Sequence, residues 1–327
     1  MTAPPHLDEF ERIARFFAPL AGPGAFGLTD DVALIDGPAG TQYVLKTDAI
    51  VEGVHYLPDD PPEDVAKKLL RVNLSDLAAK GATPLGYLLM TALPPSRDEA
   101  WLEKFAAGLA ADQKTYGIVL LGGDSVMTPG PATLSVAAIG TVAAGRAVLR
   151  SGAHAGDLIH VSGTIGDAAL GVLAAKGQDL GIGTAERAFL VDRFRLPQPR
   201  LNLGARLAGL ASAMMDISDG LAADLGHLCD ASGVAGVIEA ARLPLSPAAQ
   251  AALARDPARQ ATILGGGDDY ELLFAAPASA TAAFSTLARE TGVPVTMIGR
   301  IEAGAGVRIL DERGHEIALA IKGYEHF

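Results

Sequence analysis

The sequence predicts an α/β protein of two domains, on three observations. Segments with apolar residues at helical spacing alternate with short apolar runs of strand length, the alternation restarts once near residue 150, and 327 residues suffice for two domains of about 100–200 residues each. With 49% hydrophobic and only 20% charged residues, and with abundant Gly and Ala, the composition is that of a packed protein and not of a disordered chain.

Phe10, Ile13, Phe16, Phe17 and Leu20 recur at helical spacing and predict an amphipathic helix over 6–20, ahead of a glycine-rich loop. Strands are expected over 32–35 and 43–47. Val65, Leu69, Val72 and Leu77 mark one face of a helix over 62–80, followed by a strand over 87–93, a helix over 98–116 and a strand over 118–121. The uncharged stretch 125–145 is long enough to raise a membrane helix, but it carries Pro129, Pro131 and several Gly, and its alternation predicts a buried strand over 133–142. No transmembrane segment is assigned.

At Arg150-Ser151-Gly152-Ala153 the pattern restarts, which divides the chain into domains 1–149 and 150–327. The second is expected to hold a strand over 158–162, helices over 166–176 and 201–210, a strand over 213–217, a helix over 221–231, strands over 236–239 and 270–275, and two last runs over 295–301 and 307–310.

A net charge of −12 and the lack of Lys/Arg clusters exclude a nucleic-acid surface. A small phosphorylated ligand stays compatible, because Mg²⁺ held by carboxylates can bridge protein and phosphate. Cys229 is the single cysteine, so an intramolecular disulfide and a cysteine zinc site are excluded, as in a reducing compartment, and its apolar setting predicts a buried structural thiol. The N-terminus lacks the cationic start and apolar core of a signal peptide, and a cytoplasmic location is expected.

No Gly-x-x-x-x-Gly-Lys-Ser/Thr sequence occurs, so a P-loop does not cradle phosphate here. Instead, aspartates border apolar runs: Asp30 and Asp31 before VALI, Asp48 beside Thr47 after YVLK, Asp124 after IVLLGG, and Asp216 after AMM. Strand ends are where open α/β sheets gather ligands. Each aspartate also has an ordinary reading. Asp219 fits a helix N-cap, Asp76 a solvent-facing helical position, Asp30-Asp31 a turn, and Asp124 the cap of a Gly-Gly turn. Taken together they offer the several oxygens that hard divalent cations require. The segments 121–125 and 264–270 are glycine-rich, which lets backbone approach a phosphate or purine and equally suits tight turns. His55 is open between a structural and a binding role, and Arg150 between phosphate binding and an ordinary salt bridge.

In chain order, TDD-VALI, KTDAIVEGVHY, NLSDLAAKGATP, LLGGDS, LRSGAHAGD, DISDGLAADL, GGGDDYELLF and the terminal GYEHF resemble the thiamine-monophosphate kinase family, from about residue 27 to the last residue. The resemblance implies transfer of the γ-phosphoryl group of ATP to thiamine monophosphate, with several Mg²⁺ ions. It also implies the aminoimidazole ribonucleotide synthetase-like fold, an α/β (α+β) architecture whose N-terminal domains pair into a shared β-barrel in a homodimer. Carried over by position, the metal ligands are Asp30, Thr47, Asp48, Asp76, Asp124 and Asp216, with Asp219 on a further ion. ATP then meets Gly123, Asp124, Arg150 and Ser218, and the thiamine substrate meets His55, Asp268 and Tyr324.

No catalytic general base is expected, because the acceptor is itself a phosphate monoester, largely dianionic at neutral pH with a second pKa of about 6. Two positions depart from the family: Lys46 stands where Ser or Thr is usual, and Asp268 where Glu is usual. An ammonium has no lone pair for Mg²⁺. Selenophosphate synthetase and the hydrogenase-maturation relative need a Cys where this chain has none, and aminoimidazole ribonucleotide synthetase gains no support from VEGVHY and GYEHF. A non-catalytic nucleotide-binding regulatory protein is the alternative of another class.

Overall fold

Residues 9–318 are described by the structure, a computed structural model. Its first half opens with a single helical turn, α1 (Glu9–Arg12), and forms a five-stranded sheet from β1 (Ala33–Asp36), β2 (Thr41–Val51), β3 (Thr83–Leu93), β4 (Val119–Met127) and β5 (Thr133–Ala143). The strand order is β1-β2-β5-β3-β4, antiparallel except for the parallel pair β3–β4. Two 18-residue helices cross over in this half, α2 (Pro62–Ala79) and α3 (Glu99–Tyr116). Pro62 sits in the first turn of α2 followed by Glu63 and Asp64, where the missing amide hydrogen costs nothing and negative charge meets the helix dipole. Asp98 caps α3 by accepting from the Trp101 amide at 2.9 Å.

The second half contains β6 (Leu158–Ser162), α4 (Asp167–Ala175), α5 (Thr184–Arg195), α6 (Leu201–Leu207), β7 (Ala213–Asp216), α7 (Leu221–Ser232), β8 (Ala235–Glu239), α8 (Pro247–Arg255), α9 (Arg259–Gly265), β9 (Leu272–Ala276), α10 (Thr281–Thr291), β10 (Val295–Glu302) and β11 (Gly306–Leu310). Its six strands are ordered β11-β8-β10-β6-β9-β7 and pair antiparallel apart from β11–β8.

Helix α2 joins the two halves. Its apolar residues Leu69, Leu70, Leu74 and Leu77 pack with Val44, Leu134 and Val136 of the first sheet, while Ala78 and Ala79 enter a second cluster with Leu203, Leu207 and Met214. The approach of α6 depends on Gly204, where a Cβ would fall 1.9 Å from the Ala78 carbonyl oxygen. A helix sandwiched in this way is buried on nearly every face, so Lys68, Asn73, Ser75, Asp76 and Lys80 are buried along with its leucines.

Three expectations are revised. The segment 9–20 does not form one α-helix: α1 gives way to a π-turn (Ile13–Phe17) and a 3₁₀-turn (Ala18–Leu20), and Phe16, Phe17 and Leu20 are exposed. Pro19 is the physical reason, since it supplies no amide hydrogen for a continuous helix. The strand expected over 118–121 runs on to Met127, so Gly122, Gly123 and Asp124 lie in β4 opposite Leu88, Leu89 and Met90, not in a turn. The sequence reading also lacked α5, α8, α9 and α10. In α5 only Leu190 and Phe194 are buried, and α8 buries a stripe of Ala248, Ala249 and Ala252, so neither shows a strong apolar period. Cys229 is buried, as its setting predicted. Among the described residues no helix is long and apolar enough to cross a membrane.

Candidate metal and phosphate site

Three elements converge where α2 faces the loop before β1 and the end of β7. One carboxylate oxygen each from Asp31, Asp76 and Asp216 lies within 4.8 Å of the others. Asp31 precedes β1, Asp76 lies in the last turn of α2, and Asp216 ends β7. All three side chains are buried, at 5% exposure or less for Asp31 and Asp76. The Oδ2 atom of Asp216 has no hydrogen-bond partner, which is costly for a buried carboxylate unless a cation meets it. Oxygens gathered at this spacing suit a hard divalent ion.

Three basic side chains border the cluster. Lys46 Nζ, on β2, lies 3.2 Å from Asp48 Oδ1 and 3.2 Å from Asp76 Oδ2. Lys80 Nζ, fully buried just past the end of α2, lies 3.0 Å from Asp30 Oδ1 and 2.7 Å from Asp31 Oδ2. The Arg150 guanidinium pairs with Asp31, and its backbone N–H donates to Asp30 Oδ2 at 2.9 Å.

These neighbours push the carboxyls apart in acidity. Burial opposes ionisation of Asp31, but Lys80, Arg150 and Lys46 together hold its pKa well below the usual carboxylate range. Burial and the charge of Asp31 push Asp216 up to about 6. Burial also drives Asp76 well upward, with Lys46 opposing and Asp216, Asp48 and Asp31 adding. Burial works against the Lys46 charge, yet Asp48 and Asp76 raise its pKa and keep it an ammonium.

The structure thus brings Asp48, Asp76 and Asp216 to one place with Asp31, and Asp30, to which the family resemblance pointed, shares Lys80 with Asp31. Asp76 is not a solvent-facing helical residue, and Asp219 is not a side-chain N-cap: Gly220 stands at the cap of α7 and has no side-chain cap bond. Instead the Asp219 and Gly220 amides donate to Asp224 Oδ2 at 3.1 and 3.0 Å. The Thr47 hydroxyl donates to the Val136 carbonyl at 3.1 Å. Asp124 is exposed on the edge strand β4, where its Oδ1 accepts from the Ser125 amide at 2.9 Å. Gly123 beside it leaves no room for a side chain, since a Cβ would lie 1.8 Å from the Leu89 carbonyl oxygen.

The loop carrying Asp268 is stapled to the loop after β7: the Asp268 amide donates to the Ser218 carbonyl at 2.8 Å and the Tyr270 amide to the Ile217 carbonyl at 2.7 Å. Asp268 and Tyr270 take positive φ values of 72° and 50°, a conformation held by those bonds. Lys68 then joins Asp268 to His55, with Nζ 3.2 Å from Asp268 Oδ2 and 2.8 Å from the His55 carbonyl. Two residues assigned to the thiamine substrate from distant parts of the sequence therefore share one buried cation. Tyr324 lies outside the described residues. Sequence reasoning missed Lys68 and Lys80; the signal for Lys80 was its position four residues after Asp76 on the same helix face.

Residues 29–142 match the N-terminal domain of AIR synthase related proteins, and residues 154–312 match their C-terminal domain. The chain is 42% identical over 329 residues to the thiamine-monophosphate kinase of Caulobacter vibrioides, covering 99% of this chain and 92% of that protein. A crystal structure of the thiamine-monophosphate kinase of Stenotrophomonas maltophilia is similar with a TM-score of 0.77 and 44% identity, over 86% of this chain and 89% of the other. AaThiL complexed with AMPPCP and TMP is similar over 100% of this chain and 99% of its own length, with a TM-score of 0.86 and 31% identity.

Proposed function

The chain belongs to the thiamine-monophosphate kinase family of AIR synthase related proteins, and from that premise we propose that its buried aspartate cluster holds the Mg²⁺ ions of the reaction. The protein is a phosphotransferase that uses ATP to phosphorylate thiamine monophosphate to thiamine diphosphate. The observation that supports the metal reading is the buried, partnerless Asp216 Oδ2, set in a triad with the carboxylates of Asp31 and Asp76. Asp31, Asp48, Asp76 and Asp216 are the residues that would hold the ions at the cluster; Asp30, Thr47, Asp124 and Asp219 complete the proposed set. Mg²⁺ held by these residues would supply positive charge against the negative charge that develops during transfer.

The protein's own contribution is positional. Gly123, Ser218 and Arg150 are the residues proposed to meet the nucleotide. Arg150 is held by Asp31 and so points at the cluster before substrate arrives. His55 and Asp268, tied by Lys68, form the proposed substrate wall, to which Tyr324 is added. A phosphate acceptor brings its own nucleophilic oxygen, so no side chain is assigned as general base.

We further propose a homodimer built on the first sheet, and a cytoplasmic enzyme with domains 1–149 and 150–327. Leu85 and Leu88 of β3 and Val119, Leu120, Leu121, Val126 and Met127 of β4 are all exposed, and an apolar edge strand of this kind needs a cover. A shared β-barrel would provide one. The test of the metal reading is product formation from ATP and thiamine monophosphate at graded Mg²⁺. Thiamine diphosphate and ADP should appear in equal amounts, and Asp76→Asn should lower the rate by orders of magnitude. Full activity of Asp76→Asn, or of the wild type in EDTA, would overturn the metal reading.

A further inference from the structure

Lys46 holds a position that the proposed chemistry does not use. Its ammonium is 3.2 Å from carboxylates of two different elements, Asp48 on β2 and Asp76 on α2, and only 15% of its side chain is exposed. Bridging two carboxylates from separate elements is what a bound divalent ion does. Lys80 and Arg150 are committed to Asp30 and Asp31, so among the described residues Lys46 is the cation on the Asp48–Asp76 side of the cluster. With every carboxyl ionised, Asp30, Asp31, Asp48, Asp76 and Asp216 face Lys46, Lys80 and Arg150 and leave two negative charges, the complement of one divalent ion.

We propose that the Lys46 ammonium is a resident cation of the cluster, standing between Asp48 and Asp76 in place of a divalent ion, so that the nucleotide-free protein binds one divalent ion fewer than it would without this charge. This rests on the metal reading given above. The physics is exclusion: an ammonium offers no lone pair to a metal and repels a second cation at close range, while it offsets part of the negative charge of the two carboxylates that would attract one. The remaining capacity lies with Asp216, whose Oδ2 has no partner, beside Asp31 and Asp76.

The test is a titration of the full-length, nucleotide-free protein with Mn²⁺, following free Mn²⁺ by electron paramagnetic resonance, for wild type, Lys46→Met, Lys46→Ser and Lys46→Arg. Both neutral variants should bind one more Mn²⁺ per chain than wild type, and Lys46→Arg should match wild type. Melting in EDTA supplies a second readout: the neutral variants should melt several degrees lower and recover on addition of Mg²⁺, whereas wild type should respond less. Equal Mn²⁺ counts in wild type and the neutral variants overturn the proposal, as does a loss of stability that Mg²⁺ does not restore. Absence of bound Mn²⁺ in all four proteins would refute the metal reading itself, which separates the two failures.

Discussion

Asp216→Asn should make the metal-free protein more stable and the enzyme inactive. Asp216 is 3% exposed, its neighbour Asp31 is held ionised by Lys80 and Arg150, and its pKa stands at about 6 instead of 3.8. At about 1.4 kcal/mol per pH unit, this corresponds to a cost on the order of 3 kcal/mol for ionising the folded, metal-free site. The folded state binds this proton more tightly than the unfolded chain, so the Asp216 contribution to stability falls as pH rises from 3.8 towards about 6 and is then constant. Asparagine removes the charge and can donate towards the oxygens of Asp31 and Asp76.

The variant should therefore melt close to wild type at pH 4 and higher than wild type at pH 8. At roughly 2–4 °C per kcal/mol for a domain of this size the difference is roughly 6–12 °C. Calorimetry in EDTA at pH 4, 6 and 8, paired with thiamine diphosphate formation at saturating Mg²⁺, measures both effects. A variant that melts below wild type at pH 8 in EDTA, or by the same margin at every pH, would show that the Asp216 carboxylate is a structural group and not a strained, metal-ready one.

Asp124→Asn should lower turnover by orders of magnitude and move the melting temperature in EDTA little, because an exposed substitution is worth within about 0.5 kcal/mol of stability; comparing kcat with the melt separates the two. Lys80→Met removes the buried cation that Asp30 and Asp31 share, leaving Arg150 as their remaining basic neighbour, and should cost about 3–5 kcal/mol in urea denaturation. That loss should shrink as pH falls through the low pKa of Asp31, since a lowered carboxyl stabilises the fold only while ionised. Leu121→Arg, on the exposed edge strand, should convert a dimer to monomer in sedimentation with the melting temperature in dilute solution lowered or unchanged; a dimer that persists unaltered places the interface elsewhere.

The helices that the sequence displayed well are those with large apolar residues at helical spacing, such as Val65, Leu69, Val72 and Leu77 of α2 and Trp101, Phe105 and Leu109 of α3. Helices α5 and α8 were illegible because they sit between other helices, where small or mixed residues pack as well as a leucine stripe would. The exposed face of β4 was equally silent: LLGGDSVM looks the same whether its apolar side chains enter a core or lie open.

By itself the sequence determined the two-domain α/β class and the family, because ordered motifs such as NLSDLAAKG and DISDGLAADL survive as strings of neighbours. It also excluded a P-loop and pointed to the aspartates instead. Only the tertiary structure decided which carboxylates meet. Asp31 joins Asp76 and Asp216 although 45 and 185 positions separate them from it, and Lys46 stands between Asp48 and Asp76 as their counter-ion. The physical reason is that local patterns encode which residues share a helix face or strand, whereas charge pairing across elements depends on how α2 is clamped between two sheets. Burial there turns ordinary surface residue types into a few carboxyls with opposed acidities, and no spacing along the chain reports burial.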